Sequence, residues 1–132
     1  MAGAQRMSAL ILVLDDVDET RYGIERLLRA SGYRVTSARD EEEAIEKATL
    51  VSPDLLLMSL GLDTTGTLAV ISRIRARAIG SSRIPVVVFC VPSLEHGAEL
   101  HAGRQIYLTR PDNFDQLRGL LSRLLARQQK SG

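Results

Sequence analysis

The sequence predicts an α/β fold, a doubly wound parallel sheet sandwiched between helices in three layers. Two observations carry this. Five apolar runs alternate strictly with five stretches of helical character along the 132 residues, the pattern of a parallel sheet joined by right-handed crossovers. Several runs are also continuous apolar blocks rather than alternating ones, as strands buried on both faces require.

Ala9 to Leu14 is the first such block. Asp18 to Ser31 follows as a helix, with Ile24, Leu27 and Leu28 on one face and Gly32 placed to cap its C-terminus. Tyr33 to Ala38, with Val35, is a short edge strand. Asp40-Glu-Glu-Glu43 is a capping box with an acidic first turn, opening a helix that carries Ala44, Ile45 and Ala48. Pro53 ends that segment, and Leu55 to Met58 form a third buried strand. A loop from Gly61 to Gly66 precedes a helix with Val70, Ile71 and Ile74 on its inner face. Pro85 to Phe89 is the most strand-like run, Pro92 to Gly103 a short polar helix, and Ile106 to Leu108 the last strand. Asp112 or Asn113 then caps a helix packed through Phe114, Leu117, Leu120, Leu121 and Leu124. No repeat, low-complexity stretch or linker interrupts the pattern. One domain is expected over residues 8–128, with 1–7 and 129–132 as flexible ends.

Composition narrows the functional classes. Hydrophobic residues make up 45% and charged residues 25%, an ordinary globular balance. Aromatics are 4% with no Trp, so Leu, Ile, Val and Ala must build the core. A net charge of +1 offers no field that would select nucleic acid or an anionic membrane. No segment reaches the roughly 20 apolar residues of a membrane span, and the N-terminus lacks the features of a signal peptide. The lone cysteine, Cys90, cannot form an internal disulfide. A soluble cytoplasmic protein is expected, with Met7 as an alternative start.

In such a sheet the functional crevice lies at the carboxyl ends of the strands. That rule selects Asp15 and Asp16 after the first strand, Ser59 after the third, Cys90 after the fourth, and Arg110 and Pro111 after the fifth, with the Gly61 to Gly66 loop alongside.

Val13-Leu-Asp-Asp16, Ser52-Pro-Asp-Leu-Leu-Leu-Met-Ser59, Ile84-Pro-Val-Val-Val-Phe-Cys90 and Tyr107-Leu-Thr-Arg-Pro111 occur in this order and at these spacings. Together they resemble the landmarks of the bacterial two-component response regulator receiver domain, in a degenerate, pseudo-receiver form. The resemblance implies a flavodoxin-like five-stranded sheet of order 2-1-3-4-5 with five helices. It also implies a non-enzymatic signal transduction module in a phosphorelay. In that family two acidic residues help to hold Mg²⁺ and an aspartate after the third strand accepts phosphate. A Ser or Thr after the fourth strand and a Lys after the fifth contact the phosphoryl oxygens. Asp15 and Asp16 match the acidic pair, whereas Ser59 falls on the phosphoacceptor, Cys90 on the hydroxyl and Arg110 on the lysine.

These departures shape the functional expectation. A serine hydroxyl is neutral at pH 7 and needs a general base to attack. Neither His96 nor His101 is placed beside it by the pattern. With one carboxylate lost, Asp15 and Asp16 are expected to hold Mg²⁺ only weakly, and no cofactor is required. Cys90 is expected to be a small buried hydrophobe. Arg110 keeps the charge without the shape of an ammonium and is placed to neutralise Asp15 or Asp16. The resemblance suggests a cis peptide before Pro111 and a switch-like aromatic at Tyr107, for which a static half-buried tyrosine is the plainer expectation. Asp63 is expected to form a turn, Asp54 to cap or face solvent, and Arg73, Arg75 and Arg77 to line a solvated helix face.

The expected function is therefore signalling through protein contacts, with a sensor kinase or a downstream signalling protein as partner and neither nucleic acid nor membrane. The resemblance also allows a homodimer through the fourth helix, fifth strand and fifth helix, a face that includes Leu100, Tyr107, Arg118 and Arg123. Two alternatives remain: a receiver phosphorylated on another pocket residue, and a flavodoxin-like binder of a nucleotide or other small ligand. Against the last, neither G-x-G-x-x-G nor a P-loop occurs.

Overall fold

The computed structural model describes residues 8–78 and 83–131, with side chains as far as Arg127. Ten elements follow in order. They are β1 (Leu10–Asp15), α1 (Asp18–Ala30), β2 (Arg34–Ala38), α2 (Glu41–Val51), β3 (Leu55–Ser59), α3 (Thr64–Arg77), β4 (Val86–Val88), β5 (Glu99–His101), β6 (Ile106–Thr109) and α4 (Phe114–Ser131). They form one sheet of order β2-β1-β3-β4-β6-β5. Five strands run parallel, and β5 lies antiparallel to β6 at the edge. The ends expected to be flexible, 1–7 and Gly132, lie outside the described residues, and the backbone of α4 continues to Ser131. No helix among the described residues is long and apolar enough to cross a membrane.

Strand alternation divides the core into two layers. Leu12, Leu14, Leu56, Met58, Val86, Val88, Ile106 and Leu108 face one way, beneath Ala44, Ile45 and Ala48 of α2 and Val70, Ile71 and Ile74 of α3. Ile11, Val13, Leu55, Leu57 and Val87 face the other, beneath Leu28 of α1 and Leu117, Leu120, Leu121 and Leu124 of α4. A strand buried on both faces has no polar face to show. This is why β1 and β3 read as unbroken apolar blocks.

Local chemistry fixes the helix ends. Gly32, at φ +97, closes α1 with bonds from Gly32 N to Arg29 O and from Tyr33 N to Leu28 O. Asp40 accepts from Glu43 N, and the Glu43 carboxylate reaches back to Arg39 N. Asn113 accepts from Gln116 N while the Gln116 side chain accepts from Asp112 N, so Asn113 is the cap of α4.

One expected element is missing. Among the described residues there are four helices rather than five, because Pro92 to Gly103 forms turns and then β5. Gly97 sits in the middle at φ +83, where a Cβ would meet Asp112 Oδ2 at 2.9 Å. Its N–H donates to Arg110 O at 2.6 Å and its carbonyl accepts from Gln116 Nε2. That backbone conformation cannot continue a helix. Only five residues then separate Gly97 from Gly103, also at positive φ, and they pair with β6 as a sixth strand. The face predicted around a fourth helix is consequently a strand edge.

Candidate functional site

The carboxyl ends of β1, β3, β4 and β6 converge on one shallow crevice. The parallel register sets Asp15 directly beside Ser59 as the last residues of their strands. Asp15 is 2% exposed. Its Oδ1 accepts from Val17 N at 2.9 Å, and its Oδ2 is buried with no hydrogen-bond partner. Burial pushes the Asp15 carboxyl above the usual carboxylate range, and the neighbouring Asp16 charge pushes the same way. The Val17 N–H and the Arg21 charge oppose that shift. Asp16 itself is exposed.

Arg21 escaped the sequence reading. It is 3% exposed on the first turns of α1, donating through Nη1 to Asp15 O at 2.8 Å and through Nη2 to Asp18 Oδ1 at 2.5 Å. Its guanidinium also lies 5.1 Å from the Tyr22 ring. The arginine thus ties α1 to the tip of β1 through the backbone carbonyl of Asp15. The available signal was Asp18 three residues before Arg21, a spacing that joins side chains on a helix.

Ser59 is half-buried at the mouth of a cavity of about 90 Å³. Leu60, Thr67, Val88, Cys90 and Leu108 are among its walls, which contain neither a histidine nor a carboxylate. His101 is far from a base's position, with its ring stacked on Tyr107 at 4.4 Å between centroids. Tyr107 is half-buried there, held also by Arg127 Nη1 at 3.5 Å from its hydroxyl.

Three expectations for the pocket need correction. Cys90 is exposed rather than buried, because it follows the short β4 in a left-handed conformation, φ 60, that turns the chain outward. Partial desolvation and the Asp15 charge push its thiol up, opposed by Arg110. Arg110 does not fold onto the acidic pair. Its Nη1 donates to Leu94 O at 3.0 Å and Pro92 O at 3.3 Å, so the β4–β5 loop, standing where the helix was expected, takes the guanidinium. No peptide bond among the described residues is cis, so Pro111 follows a trans bond.

Residues outside the crevice behave structurally. Asp63 caps α3 by accepting from Gly66 N, and Asp54 accepts from Leu10 N at the start of β1. The three arginines of α3 are employed in packing. Arg73 grips Glu41 with two bonds of 2.7 and 2.8 Å, Arg77 holds Glu42, and Arg75 donates to Ile84 O.

A metal would have Asp15 Oδ2 and the Asp16 carboxylate as donors. The orphaned Oδ2 suits a cation, yet among the described residues no cluster of three His, Cys, Asp or Glu side chains exists to complete a cage. The donor set fits weak binding of Mg²⁺ with most of its water retained.

The response regulator receiver domain model matches residues 11–122. The transcriptional regulatory protein PrrA of Mycobacterium leprae is 31% identical over 123 residues, covering 92% of this chain and 52% of PrrA. KdpE of Staphylococcus aureus is 31% identical over 127 residues, covering 95% of this chain and 53% of KdpE. The chain thus spans about half the length of the curated relatives it matches. Among solved structures, the receiver domain of the sensor histidine kinase PA1611 from Pseudomonas aeruginosa, with magnesium in its active-site cleft, is 26% identical at TM-score 0.69, covering 90% of this chain and 98% of that one. Vibrio cholerae CheY4 shares the fold at TM-score 0.67 and 20% identity, covering 89% of this chain and 98% of that one. With the fold, the crevice and the family model in agreement, this chain belongs to the response regulator receiver domains of two-component signal transduction.

Proposed function

We propose that this receiver works without aspartyl phosphorylation, as a cytoplasmic signalling module acting through protein contacts. The observation that carries the proposal is Ser59, which ends β3 in register with Asp15 where the family carries its acceptor carboxylate. Forming an acyl phosphate needs an ionised carboxylate, and a serine hydroxyl needs a base. The neighbouring cavity's lining supplies none, and the Asp15 carboxylate beside Ser59 is a weak one. The other phosphoryl contacts are absent as well. Cys90 brings a weak donor, and Arg110 spends its guanidinium on the β4–β5 loop.

Asp15 is a poor substitute as acceptor, because it is 2% exposed and its Oδ2 is buried away from an approaching phosphoryl donor. Nor does the crevice favour a nucleotide. The N-terminus of α3, which borders the cavity through Thr64 and Thr67, already holds the Asp63 carboxylate. Mg²⁺ is not required for such signalling and binds weakly at Asp15 and Asp16.

Restoring the acceptor provides the test. Ser59→Asp should gain slow labelling by acetyl phosphate and Mg²⁺, and Ser59→Asp combined with Arg110→Lys should label faster. Labelling of the unaltered protein at the rate of either variant would overturn the proposal.

A further inference from the structure

We propose that Arg75, Arg83 and Arg104 form a docking point for an acidic segment of a protein partner, at the amino ends of β4 and β6. The inference goes beyond the reading of Ser59, which lies at the opposite end of the parallel strands, and stands whether or not that residue is ever modified.

Sheet register brings the three arginines together. Val86 pairs with Ile106 where β4 and β6 begin, and Val86 N donates to Gln105 O at 2.9 Å. The segments entering these strands are tied to each other and to α3. Gln105 Nε2 donates to Arg83 O at 2.7 Å. Arg75, in the last turn of α3, donates through Nη2 to Ile84 O at 2.8 Å. Arg104 directly precedes Gln105, and Arg83 and Arg104 are both exposed.

Charge compensation is missing here and present next door. Arg73 and Arg77, on either side of Arg75 in α3, each hold a glutamate at 2.7 Å. Arg75, Arg83 and Arg104 have no ion-pair partner among the described residues. Arg75 is half-buried, and its Nε is buried without a hydrogen-bond partner. Burial presses its guanidinium below the usual arginine range, and the neighbouring Arg104 charge adds to that. The dipole of α3 accounts for one cation at its C-terminus but not for a second beside it.

A strained turn holds Arg104 in this position. Gly103, Arg104 and Gln105 are left-handed in succession, at φ 87, 51 and 59, closed by a bond from Ile106 N to Gly103 O. Two L side chains in this region cost more than glycines would. What the turn presents in return is a guanidinium beside Arg75, and strain kept by a fold points to use.

The size of the patch selects the partner. Three guanidiniums are fewer than the roughly 4–8 basic residues that hold an anionic membrane, or the roughly 6–10 phosphate contacts of a DNA-binding surface. They match a short segment with two or three carboxylates, which guanidinium forks grip in paired bonds. A carboxylate seated between Arg75 and Arg104 would offset their repulsion.

Titration of the full chain with a glutamate-rich peptide, followed by NMR at about 20 mM salt where screening is weak, tests this. Saturable shifts are expected at Arg75, Arg83 and Arg104, fading as salt rises and absent with the glutamine version of the peptide. Arg104→Gly removes a guanidinium and suits the left-handed backbone. It should weaken binding about threefold or more, yet unfold at no lower a temperature than the parent. Arg83→Gln should weaken binding likewise. Arg26→Gln deletes the same charge from an exposed position of α1 and should leave binding unchanged. Shifts spread evenly over the surface, parental affinity in Arg104→Gly and Arg83→Gln, or equal weakening in Arg26→Gln would overturn the proposal. So would a patch that takes up only inorganic phosphate, anionic vesicles or DNA.

Discussion

Arg21 and Asp15 show how single side chains hold the crevice in shape. The guanidinium of Arg21 is buried, and its bond to Asp15 O satisfies a carbonyl at the tip of β1. Arg21→Ala should cost about 1–3 kcal/mol in urea unfolding, the usual consequence of orphaning a buried polar group. Asp15 works in the opposite direction. Its carboxyl titrates above the usual range in the folded protein, because burial disfavours the ionised form. The resulting stability is fully present below the unfolded-state pKa and is lost as pH rises through the folded one. Asp15→Asn should therefore be more stable than the parent near neutral pH, and the gain should shrink on acidification. Urea titrations at about pH 7 and about pH 4 would reveal it, and a pH-independent difference would refute burial of the charge as the cause. Neither effect was visible in the sequence. The acidic pair was legible from its place after an apolar block, but the environment of each carboxylate depends on a neighbouring helix.

At the scale of elements, the two core layers and the ion pairs between helices make separable contributions. Leu121 of α4 is fully buried against the sheet, and Leu121→Ala should cost about 2–5 kcal/mol, read from chemical unfolding. The pairs Arg73–Glu41 and Arg77–Glu42 fasten α3 to α2 at the surface. A double-mutant cycle on Arg73 and Glu41 should return only about 0.2–1 kcal/mol. Glu41 is held below the usual range by its hydrogen bond from Arg73. That coupling is present above the unfolded-state pKa and disappears as pH falls through the folded one. The helices around these pairs were legible because Asp40, Gly32 and the apolar spacing state their ends and faces locally. The segment from Pro92 to Gly103 was not. Its residues permit a helix in isolation, and only the docking of Gly97 against Asp112, Arg110 and Gln116, all distant in sequence, forces the turn that frees Glu99 to His101 for the sheet. Arg110 was misjudged for the same reason, since the carbonyls it meets lie in that loop. The exposure of Cys90 instead follows from its left-handed turn after β4.

For the whole molecule, the departures at Ser59, Cys90 and Arg110 belong together. The parallel sheet, both core layers and the acidic pair are those of a receiver, while a strand edge stands where the fourth helix was expected. The groups that would accept and grip a phosphoryl group are replaced or turned elsewhere. On the proposed reading such a molecule would keep one conformation available to partners, rather than two selected by phosphate, because a ligand that does not bind cannot shift a population. Intact mass spectrometry after prolonged incubation with acetyl phosphate and Mg²⁺ tests this most directly. The unaltered protein should keep its parent mass, and a single added phosphoryl group at stoichiometric yield would contradict signalling without phosphate.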